Sequence, residues 1–286
     1  MKNLLSLLLP FFSIIVQAQD PYDGAYGKQL CQFPKETILE QPQVELIYDY
    51  IASDSEINTS REEYRILLIG REYALFKDYN QYRLDSLFQH RDKSKITNKE
   101  YHDIRYATVP WAKSPYILKN MKEGTMLVRD RISPDNYFYD EGIIDFHWKM
   151  EDGTKTVCGH TCQKATCTFR GRNWTAWYAV DIPQSQGPWK FGGLPGLIML
   201  VEDSQREHVF TVVSIRKGTK DYMISRIEGE YDFKTNREWF IKTQRKMMED
   251  PLGYMQSTGL VIQNPDGSKA KLPKKRQYVF NPIEKE

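Results

Sequence analysis

Val44-Glu45-Leu46-Ile47-Tyr48-Asp49-Tyr50-Ile51 is the first stretch of the chain with a clear strand pattern, because β-branched and aromatic residues dominate it. Similar short segments recur as far as residues 222–224 and give about nine candidate strands. Such dense strand signals predict a β-rich α+β fold, with a curved antiparallel sheet or open barrel. A two-sheet sandwich is the alternative.

Two local patterns refine this prediction. Ile143–Met150 followed by the turn signal Asp152-Gly153 and a return strand over residues 155–167 predicts a hairpin. From Asp232 to Glu249 the pattern becomes helical, with Asp232 or Thr235 as the cap, and predicts a C-terminal helix that packs on the sheet.

Composition excludes several classes of protein. The chain has 286 residues, of which 40% are hydrophobic and 27% charged, and its formal net charge is +2. These values do not fit a disordered, collagen-like or polytopic membrane protein. The near balance of charge gives no support for a nucleic-acid partner.

The N-terminus resembles a cleaved secretory signal. Lys2 precedes an apolar run from Leu4 to Val16, and Val16-Gln17-Ala18 has the spacing that signal peptidase recognises. The run is too short to span a bilayer comfortably as a helix, so a retained anchor is the weaker alternative. We expect export to the periplasm or secretion, and no transmembrane segment after signal removal. The predicted divisions are a signal peptide (1–18), an irregular leader (19–42), one β-rich domain (43–265) and a basic, flexible tail (266–286).

Four cysteines are candidates for disulfides, since export favours oxidation. They are Cys31, Cys158, Cys162 and Cys167. Four cysteines allow three pairings, which the sequence leaves open. Free structural thiols are one alternative, and a metal site built from Cys158, His160 and Cys162 is another. If Cys162 and Cys167 lie on one strand, their odd separation places them on opposite faces.

A glycine- and proline-rich loop at residues 187–198 is the most unusual segment, because it interleaves conformationally special residues with large apolar ones. Its expected structural residues are Gly187, Pro188, Gly193, Leu194, Pro195 and Gly196. Gly193-Leu194-Pro195-Gly196-Leu197-Ile198 resembles the signature of the GLPGLI family of exported Bacteroidetes proteins. Phe169-Arg170-Gly171-Arg172 and Asp181-Ile182-Pro183 are similar to that family's pattern as well. The resemblance implies an exported protein, but no established activity and no catalytic residue.

Aromatic and basic residues near this loop are the candidate binding residues. They are Arg170, Arg172, Trp174, Trp177 and Trp189. Because Trp174 and Trp177 are three residues apart, a strand would place them on opposite faces. Exposed tryptophan beside guanidinium groups is typical of recognition surfaces. We therefore expect a non-catalytic binding protein for an apolar ligand or an envelope protein partner, with no cofactor, no metal and no assigned catalytic residue.

Two groups of side chains suggest alternatives to a non-catalytic binding protein. Asp181 and Glu202 flank the loop and would serve a hydrolase if they formed an acid/base pair. The cluster of Cys158, His160 and Cys162 would serve a metal-handling protein. His208, beside Glu207, is interpreted as a surface histidine.

Overall fold

A computed structural model describes residues 21–55, 57–108, 115–133, 135–229, 232–257, 268 and 281–285. The predicted signal peptide lies outside these residues. Among the helices that the structure describes, none is long and apolar enough to cross a bilayer.

Strands make up most of the regular structure, in agreement with the predicted β-rich α+β class. The strands are β1 (Lys35–Glu40), β2 (Val44–Asp54), β3 (Thr59–Ile69), β4 (Tyr73–Asp78), β5 (Tyr116–Asn120), β6 (Thr125–Ile132), β7 (Asp135–Gly142), β8 (Lys149–Val157), β9 (His160–Phe169), β10 (Arg172–Ala179), β11 (Leu197–Asp203), β12 (His208–Lys217), β13 (Ile224–Glu228) and β14 (Asp232–Lys234). The helices are α1 (Ala25–Lys28), α2 (Tyr79–Gln89), α3 (Asn98–Thr108), α4 (Arg237–Glu249) and α5 (Pro251–Ser257).

Twelve strands form one large sheet whose order explains its curvature. The order is β14-β7-β6-β5-β4-β3-β2-β12-β11-β10-β9-β8, so two meanders meet where β2 pairs with β12. In a flat sheet, ten inter-strand spacings would separate β7 from β8 by about 48 Å. Only seven residue steps, at most about 25 Å, join the end of β7 to the start of β8. The sheet must therefore curl until its two ends approach each other, although it remains unclosed.

The inner face of this sheet holds the main core. Alternate residues of each strand point inward, and the cluster includes Tyr48, Leu67, Trp174, Phe191 and Phe210. The predicted C-terminal helix, α4, packs against β6 and β7 and contributes Phe240 to this core. On the outer face, α2 and the small sheet formed by β1 and β13 cover a second cluster.

Several predicted elements differ from the structure in their boundaries. The hairpin turn lies at Cys158 and Gly159, whose φ angles are +48° and +82°, whereas Asp152-Gly153 lies inside β8 at a register shift. Residues 143–148 are not a strand but the irregular crossing between the two meanders. The predicted caps of α4 were wrong, because Asp232 belongs to β14 and the side chain of Asn236 accepts the hydrogen bond from the Trp239 amide.

The two segments expected to be irregular contribute regular or packed structure. Within the leader, β1 pairs with β13, and α1 lies against α3. Within the basic tail, residues 281–285 pack against the core, and Glu284 is only 6% exposed. The prediction of a flexible, solvated tail was therefore wrong for residues 281–285, because their carbonyl and carboxylate oxygens find buried arginine and lysine partners.

Candidate functional site

In the described structure the cysteine region shows neither a disulfide nor the metal site considered as an alternative. All four cysteines are free in the structure. Burial raises the pKa of the Cys162 thiol to about 11 and that of Cys167 to about 12, so both thiols are protonated at pH 7. His160 Nδ1 lies 2.7 Å from Asp181 Oδ2 instead. Among the described residues, no three histidine, cysteine or acidic side chains come close enough together to hold a metal ion.

The two carboxylates considered for a hydrolase are not a pair. Glu202 lies opposite Thr175, whereas Asp181 follows Ala179, so at least four residue steps along β10, about 13 Å, lie between them. Asp181 pairs with a histidine, and Glu202 Oε2 lies 2.8 Å from an Arg206 guanidinium nitrogen. Acid/base catalysis by these two groups on one substrate atom has no support in this geometry.

The predicted binding residues are mostly interior. As their spacing predicts, Trp174 and Trp177 face opposite sides of β10, and Trp174 is 1% exposed in the core. Trp177 is half-buried on the outer side, where the Lys155 ammonium lies 5.5 Å from its ring. Trp189 is buried with a positive φ of 51°. Of these three rings, only that of Trp189 reaches the cleft described below.

The glycine- and proline-rich loop packs tightly against the sheet, as its composition predicts. Leu194 is fully buried, and Gly196 lies so close to the Ala179 carbonyl that a side chain there would collide with it. Gly193 has a φ of +86°, which glycine adopts without strain. Beneath the loop, Lys119 Nζ donates a hydrogen bond of 2.6 Å to the Phe191 carbonyl, and burial lowers the pKa of this lysine to about 7. The loop is thus fixed to the sheet at several points.

A cleft of about 760 Å³ opens at the rim of the curled sheet. Aromatic side chains from both meanders, from α2, α3 and α4, and from the segments before β1 and before β11 line much of it. They are Phe33, Tyr50, Phe76, Phe88, Tyr101, Tyr116, Tyr139, Trp189, Phe210 and Phe240. Its volume lies within the range of small-ligand sites, about 300–1,000 Å³. None of the predicted binding residues except Trp189 lines this cleft.

Basic residues outnumber acidic ones in the cleft lining, nine to four. The basic residues are Arg61, Arg65, Lys77, Lys93, Arg105, Arg129, Arg131, Lys190 and Arg245. The acidic residues are Asp78, Asp85, Asp130 and Glu284. Ion pairs join Asp78 to Arg65, Asp85 to Lys77 and Glu284 to Lys190. Within the described part of the chain, Arg105, Arg131 and Arg245 form no ion pair, so the cleft keeps unneutralised positive charge.

His208 lies in the wall of this cleft and is not the surface residue that the sequence suggested. It is 1% exposed, because its side chain points inward from β12 beside Tyr50. Its Nδ1 lies 2.8 Å from the Tyr50 hydroxyl, and its buried Nε2 makes no hydrogen bond. Burial, aided by the charge of Arg172, lowers the pKa of His208 to about 3, while Glu207 and the Asn281 backbone act in the opposite direction. The ring is therefore neutral at pH 7.

Arg172 is the centre of a buried charge cluster. One guanidinium nitrogen lies 2.8 Å from Asp203 and 2.9 Å from Glu207. Arg172 also donates hydrogen bonds to residues 281–283, including the Pro282 carbonyl at 2.9 Å. Burial alone would raise the pKa of Glu207, but hydrogen bonds from Asn281, Arg172 and Ser55 lower it to about 2. Arg172 thus holds the chain's own C-terminal segment, which we define as residues 281–285.

Arg170 belongs to a second cluster on the same segment. Its guanidinium pairs with Glu141 and, at 2.7 Å, with Glu284. Lys190 Nζ lies 2.8 Å from Glu141 and 2.5 Å from Glu284, and Arg237 contacts Glu284 at 2.5 Å. Two of the predicted recognition residues, Arg170 and Arg172, therefore do bind carboxylates, but carboxylates of this chain. No sequence signal marked Glu284, because its partners lie at least 47 residues away.

The match to a known protein family covers only a short part of the chain. A family model described as "Protein of unknown function (Porph_ging)" matches residues 168–200, which include β10 and the loop. No curated protein matches. Two solved structures of PNGF-II, in the P21 and C2 space groups, are similar, with TM-scores of 0.47 and 0.46 and sequence identities of 14% and 12%. Each covers 72% of this chain, which in turn spans about a third of PNGF-II, 34% and 33%.

Proposed function

We propose that the protein is an exported, non-catalytic binding protein that holds a ligand with an apolar body in the rim cleft. The observation that carries the proposal is the cleft itself, whose volume is about 760 Å³ and whose wall is rich in aromatic rings. Apolar cavities of this size with a few placed polar groups are the usual form of small-ligand sites. The rigid sheet and the braced loop would keep such a site preformed.

The titratable groups of the cleft favour binding over catalysis. The pKa of His208 is about 3, which makes it a weak base at neutral pH, and burial raises the pKa of its partner Tyr50. Effective general acids and bases have pKa values near the working pH. Asp78, Asp85 and Glu284 each form an ion pair with a basic side chain, so none of these carboxylates is free to act on a substrate.

Export and family membership are further parts of the proposal. The signal-like residues 1–18 support export to the periplasm or beyond. Residues 193–198, which resemble the GLPGLI signature, lie inside the segment that matches the family model. This overlap supports membership of the GLPGLI family.

A neutral apolar fluorophore tests the binding site. N-phenyl-1-naphthylamine brightens when it leaves water, so saturable brightening is expected with the wild-type protein. Gln244→Trp adds an indole to the cleft wall on α4, and Lys242→Trp adds the same group to the exposed face of that helix. We expect Gln244→Trp to weaken binding about tenfold or more, a loss of ~1.4 kcal/mol.

The matched variant Lys242→Trp should bind the fluorophore like wild type. Circular dichroism should show the same strand content for all three proteins. Equal affinities for the two tryptophan variants would place the fluorophore outside the cleft and overturn the proposal.

A further inference from the structure

Three cations from three separate elements converge on one carboxylate beside the cleft. Arg170 lies in the turn between β9 and β10, Lys190 in the braced loop, and Arg237 at the first position of α4. Their distances to the Glu284 carboxylate oxygens are 2.7, 2.5 and 2.5 Å. We call these three side chains the carboxylate receptor.

The receptor needs a carboxylate to balance its charge. Without Glu284, Arg170 and Lys190 would share the carboxylate of Glu141, which pairs with both. Lys190 is 1% exposed, so water compensates its charge poorly. A buried, uncompensated charge costs several kcal/mol, about 3–5 when one partner of a buried pair is removed. An anionic, oxygen-bearing group at the position of the Glu284 carboxylate would compensate this charge.

The carboxylate that fills the receptor is supplied by a separate segment of chain. Glu284 belongs to the C-terminal segment, and 23 residues (258–280) connect that segment to the end of α5. Residues 281–285 belong to no strand, so exchanging the Glu284 carboxylate for another would break side-chain contacts but no strand pairing.

The receptor adjoins the apolar part of the cleft. Lys190 Nζ lies 5.3 Å from the centre of the Tyr139 ring and 5.2 Å from that of Trp189. Tyr139, Trp189 and Glu284 all line the cleft. A ligand whose carboxylate occupied the position of the Glu284 carboxylate would thus have aromatic rings beside its chain.

We propose that the carboxylate receptor binds the head group of the ligand in place of Glu284, and that the ligands of the cleft are carboxylates with an apolar body. This inference rests on the proposed function and gives the chemical class of its ligand. The C-terminal segment then acts as an internal competitor that leaves when such a carboxylate enters.

Calorimetric titration with dodecanoate and dodecanol tests this inference, because the two probes share an apolar chain and differ in charge. Glu284→Ala removes the competitor, so we expect dodecanoate to bind about tenfold tighter and dodecanol to bind within twofold of wild type. Glu238→Ala removes an exposed carboxylate from the same side of the molecule and should change neither affinity.

Arg237→Gln provides an independent test if Glu284→Ala fails to fold, since the arginine is 25% exposed on its side chain and lies at the start of a helix. In a Glu284→Gln background, which removes the competing charge but keeps the side-chain length, it should weaken dodecanoate binding about fivefold and leave dodecanol unchanged. Binding of both probes with no charge-dependent effect of either variant would overturn the carboxylate assignment and leave the proposed function standing. If neither probe binds while N-phenyl-1-naphthylamine does, the carboxylate assignment is overturned and the proposed function stands; if the fluorophore does not bind the wild-type cleft either, both are overturned.

Discussion

Replacing His208 with glutamine should reduce the loss of unfolding free energy that the protein undergoes between pH 7 and pH 5. Burial holds the pKa of this ring at about 3, whereas an unfolded histidine titrates near 6.5. Between these two pKa values, the unfolded chain binds a proton at this histidine and the folded chain does not. Stability is retained above the unfolded pKa and falls as the pH drops from about 6.5 towards 3.

The size of the effect follows from these two pKa values. Between pH 7 and pH 5 the single site should cost about 2 kcal/mol of unfolding free energy. The charges that face the ring are Arg172 and Arg61, which lower its pKa, and Glu207, which raises it. Because the pKa of Glu207 is about 2, its charge is constant over this range.

Urea unfolding at pH 5, 6 and 7, followed by tryptophan fluorescence, measures the effect. The variant His208→Gln should lose about 2 kcal/mol less than wild type over this range. His90→Gln removes a histidine from the protein surface and should behave like wild type. If His208→Gln loses as much stability as wild type between pH 7 and pH 5, the ring is not buried and neutral as described.

Three further substitutions test the core, the loop and the buried charges. Trp174→Ala should lower the unfolding free energy by about 3–5 kcal/mol, as measured by urea denaturation, because the ring is fully buried. Gly196→Ala should lower the melting temperature, because its new methyl group would collide with the Ala179 carbonyl. The control Gly142→Ala has room for the methyl group and should leave the melting temperature unchanged. Equal melting temperatures for the two variants would contradict the close approach at Gly196. Arg172→Gln should cost about 3–5 kcal/mol at pH 7 and less at pH 2, where about half of the Glu207 carboxylate is protonated; a cost independent of pH would contradict a charge origin.

The sequence identified the fold class because strand formation leaves a local signal. Residues 44–51 alternate between the inner and outer faces of β2, and their β-branched and aromatic composition was legible without the structure. The turn at Cys158-Gly159 was missed, because Asp152-Gly153 carries the commoner turn dipeptide and its register shift depends on pairing with β9. Helix α3 lies in the stretch after Gln89, whose predominantly polar residues gave a weak helical pattern.

The cleft could not be predicted from the sequence, because residues far apart in the chain form its wall. His208 was interpreted as a surface residue because it follows a charged turn, but its place on the inner face of β12 is set by pairing with Ala52. Arg170 and Arg172 were expected to bind an external partner, but in the structure their guanidinium groups contact carboxylate and carbonyl oxygens of this chain. Their partner, the C-terminal segment, was expected to be solvated because it follows a run of lysines.

Photoaffinity labelling tests most directly whether the rim cleft is a binding site. A neutral alkyl alcohol that carries a diazirine would be bound, irradiated and located by peptide mass spectrometry. The account predicts saturable labelling of peptides that line the cleft, such as those with Tyr139 and residues 240–248, and competition by dodecanol. Labelling confined to the exposed outer surface, for example at Met150 or Val213, would contradict it.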